Sequence, residues 1–290
     1  MHRRDLMKAA VLSLAAKAAS AQTETLKGKA RLKTAICAYS YREMLAKKTL
    51  TYEDLVRMAA EMNIDGLDLT VYWFPNTSPE FLLPLKRLAY RMGVEIYSIS
   101  IRSNMCQPTE ELRAKEVAEM RKWVDAASML GAGHIRVFGG TVPKGRTDDE
   151  AAGWVVACLK DAVKYAGSKG VILGIENHGG ITETAGRIIE IVKKVDSPWL
   201  GVNLDTGNFK TRVFEQIEQL IPYSVNVQVK ADLVEDGIHK EGDWDRVALL
   251  LANAGYKGYL ALEYEAAGDV NAAMPRLLKK LRRVAAEYSA

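Results

Sequence analysis

VILGIE at residues 171–176, LGVNLD at 200–205, VNVQ at 225–228 and YLALE at 259–263 are four short apolar runs. Each closes on a polar side chain able to bind a ligand: Glu176, Asp205, Gln228 and Glu263. Apolar runs of this length between helical patterns read as parallel strands buried on both faces. In a closed barrel of such strands the C-terminal ends converge on one mouth, where chemistry is placed. Three carboxylates brought to one mouth repel one another and lose hydration, so a cation is expected among them. A divalent metal is the sparing answer.

Outward from these runs the same alternation continues. Strand-like runs recur near residues 34–39, 66–70, 95–101, 134–138, 171–176, 200–205, 224–230 and 259–264, with amphipathic stretches between them. In YEDLVRMAAEM, Leu55, Met58, Ala59 and Met62 share one face, and Thr51 stands where an N-cap belongs. DEAAGWVVACLKDAVKYAGSKG, TETAGRIIEIVKKV and DVNAAMPRLLKKLRRVAAEY carry the same pattern, the first predicted to stop at Gly167 and Gly170. Eight alternations in about 250 residues predict an α/β fold, a single-domain (β/α)8 TIM barrel, over an open doubly wound sheet. The glycine fingerprints of dinucleotide and P-loop sites, which would support the open sheet, do not occur.

The chain has 290 residues, 48% of them hydrophobic, and no linker-like stretch divides it, so one large core is expected. Formal net charge is +4, of which Arg3, Arg4, Lys8, Lys17 and Asp5 account for +3. A chain starting at Gln22 is therefore nearly neutral, which argues against a nucleic-acid surface. Residues 1–21 combine the twin arginines Arg3 and Arg4, a short apolar stretch and a small-residue end at Ala21. This resembles a twin-arginine export signal, too short to span a bilayer, followed by a linker over 22–33 and the barrel over 34–290. The expectation is an exported, periplasmic protein without a membrane span. Cys37, Cys106 and Cys158 are too dispersed for a disulfide framework and are expected as buried free thiols.

Residues two apart on a strand share a face, which puts Glu176 with His178, Asn203 with Asp205, and Gln228 with Lys230. The motifs GIENHGG at 174–180, GVNLDTGNF at 201–209, VNVQVKADL at 225–233 and the closing EGDWDRVALLLANAGYKGYLALEYE at 241–265 resemble the xylose-isomerase-like TIM barrels. That superfamily includes sugar isomerases and epimerases, hydroxypyruvate isomerase and endonuclease IV, and the resemblance runs from about Thr34 to the C-terminus.

The resemblance implies one divalent metal held by a Glu from strand 5, an Asp from strand 6, a His or Gln from strand 7 and a Glu from strand 8. These positions fall on Glu176, Asp205, Gln228 and Glu263. Gln at the strand 7 position is the hydroxypyruvate-isomerase variant, and its amide oxygen suits Mg²⁺ or Mn²⁺ better than Zn²⁺. The implied activity is isomerisation or epimerisation of a ketose, in which the metal polarises the carbonyl while Glu176 and Glu263 act as acid and base through an enediolate.

Further substrate-binding candidates follow. His178 is placed to bind a substrate hydroxyl or orient Glu176, or to satisfy itself on local backbone. Asn208, in DTGN, stands where many relatives carry a substrate-contacting His. Lys230 is placed to stabilise an enediolate oxygen or to bridge to a carboxylate. Arg102 and Arg136 close strands 3 and 4 as candidates for a substrate carboxylate or phosphate, or for rim ion pairs. Trp73 in TVYWFP could stack on a sugar or pack as a lid.

The partner expected is a small sugar or keto-sugar, and a homo-oligomer is compatible with the sequence. Two further readings keep the fold: a lyase or hydratase acting on 3-keto-sugars through the same first step, and a non-catalytic sugar-binding barrel. The endonuclease reading needs a His-rich three-zinc cluster, and only His2, His134, His178 and His239 are present.

Overall fold

The computed structural model describes residues 29–289. The export-signal expectation and the linker up to residue 28 lie outside the described residues. Eight parallel strands close a barrel: β1 Arg31–Cys37, β2 Gly66–Thr70, β3 Glu95–Ser100, β4 His134–Val137, β5 Ile172–Glu176, β6 Leu200–Asp205, β7 Ser224–Lys230 and β8 Lys257–Glu263. Each pairs with its sequence neighbours, and β1 closes on β8 with Arg31 opposite Lys257 and Ile36 opposite Leu262. Helices α1 Tyr52–Glu61, α2 Pro79–Met92, α3 Glu110–Leu130, α4 Asp148–Ser168, α5 Ala185–Val195, α6 Val213–Leu220, α7 Trp244–Asn253 and α8 Val270–Tyr288 return the chain between strands and after the last. This is the (β/α)8 TIM barrel expected. An antiparallel hairpin of Asp232–Glu235 and Ile238–Glu241 is inserted after β7, and it carries the exposed His239. Among the described residues no helix is long and apolar enough to cross a membrane.

Local sequence sets most boundaries. Thr51 caps α1 by accepting from the Asp54 N–H while the Asp54 carboxylate accepts from the Thr51 N–H, and Thr147 with Glu150 repeats this capping box on α4. Two expectations are corrected. α4 continues through Gly167 instead of stopping there, because Gly167 is needed for contact: a Cβ on it would stand 2.5 Å from Trp199 Cδ1. The chain leaves the helix at Gly170, where φ is +72°. β1 starts at Arg31, not near 34, and ends at Cys37 in a 3-10 turn. Its first residues alternate Arg31, Leu32, Lys33, Thr34, a half-exposed pattern that hides a strand whose pairing comes from β8.

The outer strand faces pack on the helices and form the main core. Inside the barrel only a small apolar floor remains, built of Ala35, Cys37, Tyr97, Tyr259 and Ala261, with the two tyrosine rings stacked at 3.6 Å. Above it the interior is polar and joined into one ladder. Tyr97 Oη donates to Asn226 Oδ1 (3.0 Å), Asn226 Nδ2 to Asn203 Oδ1 (2.7 Å), Asn203 Nδ2 to Gln228 Oε1 (2.8 Å) and Gln228 Nε2 to Asp68 Oδ2 (2.9 Å). Ser98 and Ser100 donate to Asp68 Oδ1, and Ser98 Oγ lies 2.8 Å from His134 Nδ1. All three cysteines are buried and free.

Candidate active site at the barrel mouth

Above this ladder the strand ends form a cavity of about 380 Å³ lined by Tyr39, Tyr72, Arg102, Ser103, Arg136, Phe138, Glu176, His178, Lys230, Glu263 and Glu265. The register explains the gathering. Asp205 pairs with Gln228 across β6 and β7, and Lys230 pairs with Glu263 across β7 and β8, so the stagger lifts Lys230 one full pleat above Gln228 on the same inward face.

Two cations organise the carboxylates. Arg136 Nε lies 3.0 Å from Glu176 Oε2, both side chains buried; the N–H does not point along that line, so the contact is an ion pair without an aligned hydrogen bond. Nη1 of the guanidinium donates to Ile101 O and Tyr72 Oη. Asn208 Nδ2 donates to Glu176 Oε1 at 3.0 Å, fixing the second carboxylate oxygen. On the opposite side the Lys230 ammonium stands 3.2 Å from Asp205 Oδ2 and 3.0 Å from Glu263 Oε2, and it donates to Glu265 Oε2.

These contacts push the titrations apart. Burial lifts the Glu176 carboxyl well above the usual range, and Arg136 offsets this only partly. Burial raises Glu263 too, but Lys230 and Arg136 outweigh it and hold the carboxyl below its ordinary value. Asp205 is pushed up to about 7 by burial, against the pull of Lys230. Burial disfavours the Lys230 ammonium, yet Asp205, Glu263 and Glu265 together keep it charged far above its ordinary pKa.

The remaining candidates fall into place around this centre. His178 lines the cavity against the Phe138 ring at 4.0 Å, and burial followed by Arg136 and Lys230 lowers its pKa; it does not orient Glu176, which Arg136 and Asn208 hold. Arg102 lies just beyond β3 at the cavity wall, its guanidinium 4.2 Å from the Tyr72 ring centroid. Trp73 packs behind the wall, stacked on Tyr39 at 6.1 Å, so the aromatic side chains lining the cavity are Tyr39, Tyr72 and Phe138, with the His178 ring beside Phe138.

Glu265 was missed, although it lies two residues beyond Glu263 and the same alternation extended one step would have found it. Asp68 was missed too; a carboxylate inside the apolar run GLDLT was its signal.

The donor set that the resemblance implies does not fit a divalent ion. The Gln228 amide, expected as a ligand, is a rung of the interior ladder: its oxygen accepts from Asn203 and its nitrogen donates to Asp68. Glu176 is turned to Arg136, and Lys230 lies between Asp205 and Glu263. Among the described residues no three His, Cys, Asp or Glu side chains are grouped to hold a metal ion.

Comparison with known proteins agrees with this architecture. A curated protein of Methanocaldococcus jannaschii, itself uncharacterized, is 25% identical over 222 residues, covering 70% of this chain and 76% of its own. Among solved structures, D-psicose 3-epimerase from Clostridium cellulolyticum H10 superposes with a TM-score of 0.71 at 18% identity, over 89% of this chain and 98% of its own. The 3-keto-D-glucoside 4-epimerase of E. coli gives 0.69 at 14% identity, over 88% and 100%. At such identities the likeness is one of fold. The model of the xylose isomerase-like TIM barrel matches residues 56–284, and the chain belongs to that family.

Proposed function

We propose that the protein is an isomerase or epimerase of small carbonyl sugars, acting by proton transfer at the carbon beside the carbonyl. The observation that carries this reading is the placement of Glu176 and Glu263 on the wall of one cavity, each carboxylate fixed by a different cation. Two carboxyl groups held apart in protonation are the minimum machinery for taking a proton from one face of a carbon and returning one to the other. The epimerase activities of D-psicose 3-epimerase and 3-keto-D-glucoside 4-epimerase, which share the fold, support it.

Glu263, ionised beside Lys230, is the base. It takes the proton, the C–H electron pair moves into the new carbon–carbon double bond, and the carbonyl oxygen becomes an enediolate oxygen. Glu176, deeply buried and readily protonated, returns a proton from the far side. This yields the epimer, leaving Glu263 protonated and Glu176 ionised. Return to the adjacent carbon, with the hydroxyl proton passing between the two oxygens, yields the isomer instead. Lys230 and Arg102 supply the positive field for the developing oxyanion.

The test is proton exchange in deuterated water with a panel of ketoses and 3-keto-glycosides. Deuterium should enter at the carbon next to the carbonyl, and Glu263→Gln should slow entry by about 10²-fold. Sugars that bind by calorimetry without any exchange would refute the reading in favour of a binding barrel, and loss of a β-substituent would move the activity to a lyase.

A further inference from the structure

The mouth of this barrel has its cation already, and it is a side chain. We infer that the Lys230 ammonium occupies the place between the strand 6 and strand 8 carboxylates that a metal would need, so that the site is built to work without one. The inference deepens the proton-transfer reading and rests on it for the chemical role of Lys230.

The charge arrangement is the first support. Lys230 Nζ lies 3.2 Å from Asp205 and 3.0 Å from Glu263, and Glu265 is its third partner. The ammonium donates a hydrogen bond to Glu265, and Asp205 Oδ2 and Glu263 Oε2 stand against it as ion-pair partners. The second support is how firmly the lysine is held. Its backbone N–H donates to Thr206 Oγ1 at 3.0 Å, its carbonyl accepts from Trp244 Nε1 at 2.7 Å, and the residue is buried. Gly207 makes room for the stem, since a Cβ there would stand 2.5 Å from Lys230 Cγ and 2.9 Å from its Cβ. The third support comes from β7 itself. Gln228 spends its amide on Asn203 and Asp68 one pleat below, so the strand presents an ammonium at the mouth and no free donor oxygen.

The three partners are not equal. Asp205 and Glu263 are buried, whereas the Glu265 side chain is 41% exposed at the cavity edge. A substrate oxygen entering the cavity can take the direction Glu265 now holds. Lys230 thereby offers a developing oxyanion a directed N–H donor in place of a Lewis acid.

The experiment is Mn²⁺ binding followed by electron paramagnetic resonance on the full protein, with Lys230→Met and Lys230→Ala beside it. Wild type should leave Mn²⁺ free at concentrations on the order of 1 mM, the weak end for hard-cation sites. Removing the ammonium leaves Asp205 and Glu263 uncompensated, so both variants should take up Mn²⁺ at least about tenfold more tightly. Lys230→Met keeps most of the stem volume, and circular dichroism verifies that each variant is folded. Wild type sequestering one Mn²⁺ per chain would overturn the inference without any variant, and so would folded variants that bind Mn²⁺ no better than wild type. Because the readout is metal uptake and not turnover, failure here leaves proton transfer standing, and absence of deuterium exchange leaves this result standing.

Discussion

At the residue level the behaviour of the site follows from competition for one ammonium. Glu265 accepts a hydrogen bond from Lys230 at the cavity edge, in the way of any anionic oxygen that arrives. A half-exposed ion pair contributes about 1 kcal/mol, which is roughly fivefold in a binding constant. Replacing Glu265 with Gln should therefore tighten binding of an enediolate mimic such as a sugar hydroxamate by about fivefold, as read by calorimetry. Weaker binding in Glu265→Gln would mean that Glu265 contacts the ligand itself instead of standing in its way. The positions of Glu176 and Glu263 at the mouth were legible in sequence because a strand end and a period of two fix where a side chain points. The surroundings of Lys230 were only half legible. Its face was evident, but whether a lysine or a metal fills the space between Asp205 and Glu263 depends on distances across a closed barrel, which no spacing along the chain encodes.

The elements themselves were read well where burial is two-sided. β2, β6 and β7 fall where the apolar runs put them, since a strand covered on both faces has no exposed positions to blur its ends. β1 was misplaced because Arg31 and Lys33 carry polar groups on a segment whose strand identity comes from partners in β8 and β2. What the pattern could not convey is that the inner faces would join into a polar ladder and not an apolar barrel core. Gln228 is the rung between β6 and β2, so its reading as a ligand and its structural place give opposite expectations for substitution. Gln228→Leu, close in volume, leaves Asn203 Nδ2 and Asp68 Oδ2 unpaired inside the barrel. The expected loss is about 2–3 kcal/mol of unfolding free energy in urea. A change below about 0.5 kcal/mol would show that the ladder does not depend on this rung.

For the whole molecule, the polar barrel interior makes stability depend on pH through opposing groups. His134 is buried, 2.8 Å from Ser98 Oγ, and burial with Arg136 nearby pushes its pKa down to about 3. The native state thus keeps the imidazole neutral, while an unfolded chain protonates it below about pH 6.5. Between those values the unfolded state binds more protons, so this group's contribution is intact above pH 6.5 and is lost as pH falls towards 3. Asp205 acts in the opposite sense. Its carboxyl is raised to about 7, so the native state holds the extra proton and stability falls as pH rises through the same range. The two slopes oppose each other in wild type, and a single profile would not reveal either. The difference between wild type and His134→Asn isolates the imidazole, because Asp205 and the surface carboxylates are common to both. Between pH 7.5 and 4.5 the wild type should lose about 2–3 kcal/mol more than the variant, as a full shift of that size carries about 1.4 kcal/mol per pH unit. Unfolding curves at several pH values in that window measure it. Parallel profiles would mean that His134 is protonated in the native barrel, in which case its Nε2, without a hydrogen-bond partner here, would carry a second N–H and the interior ladder one more positive charge beneath the mouth.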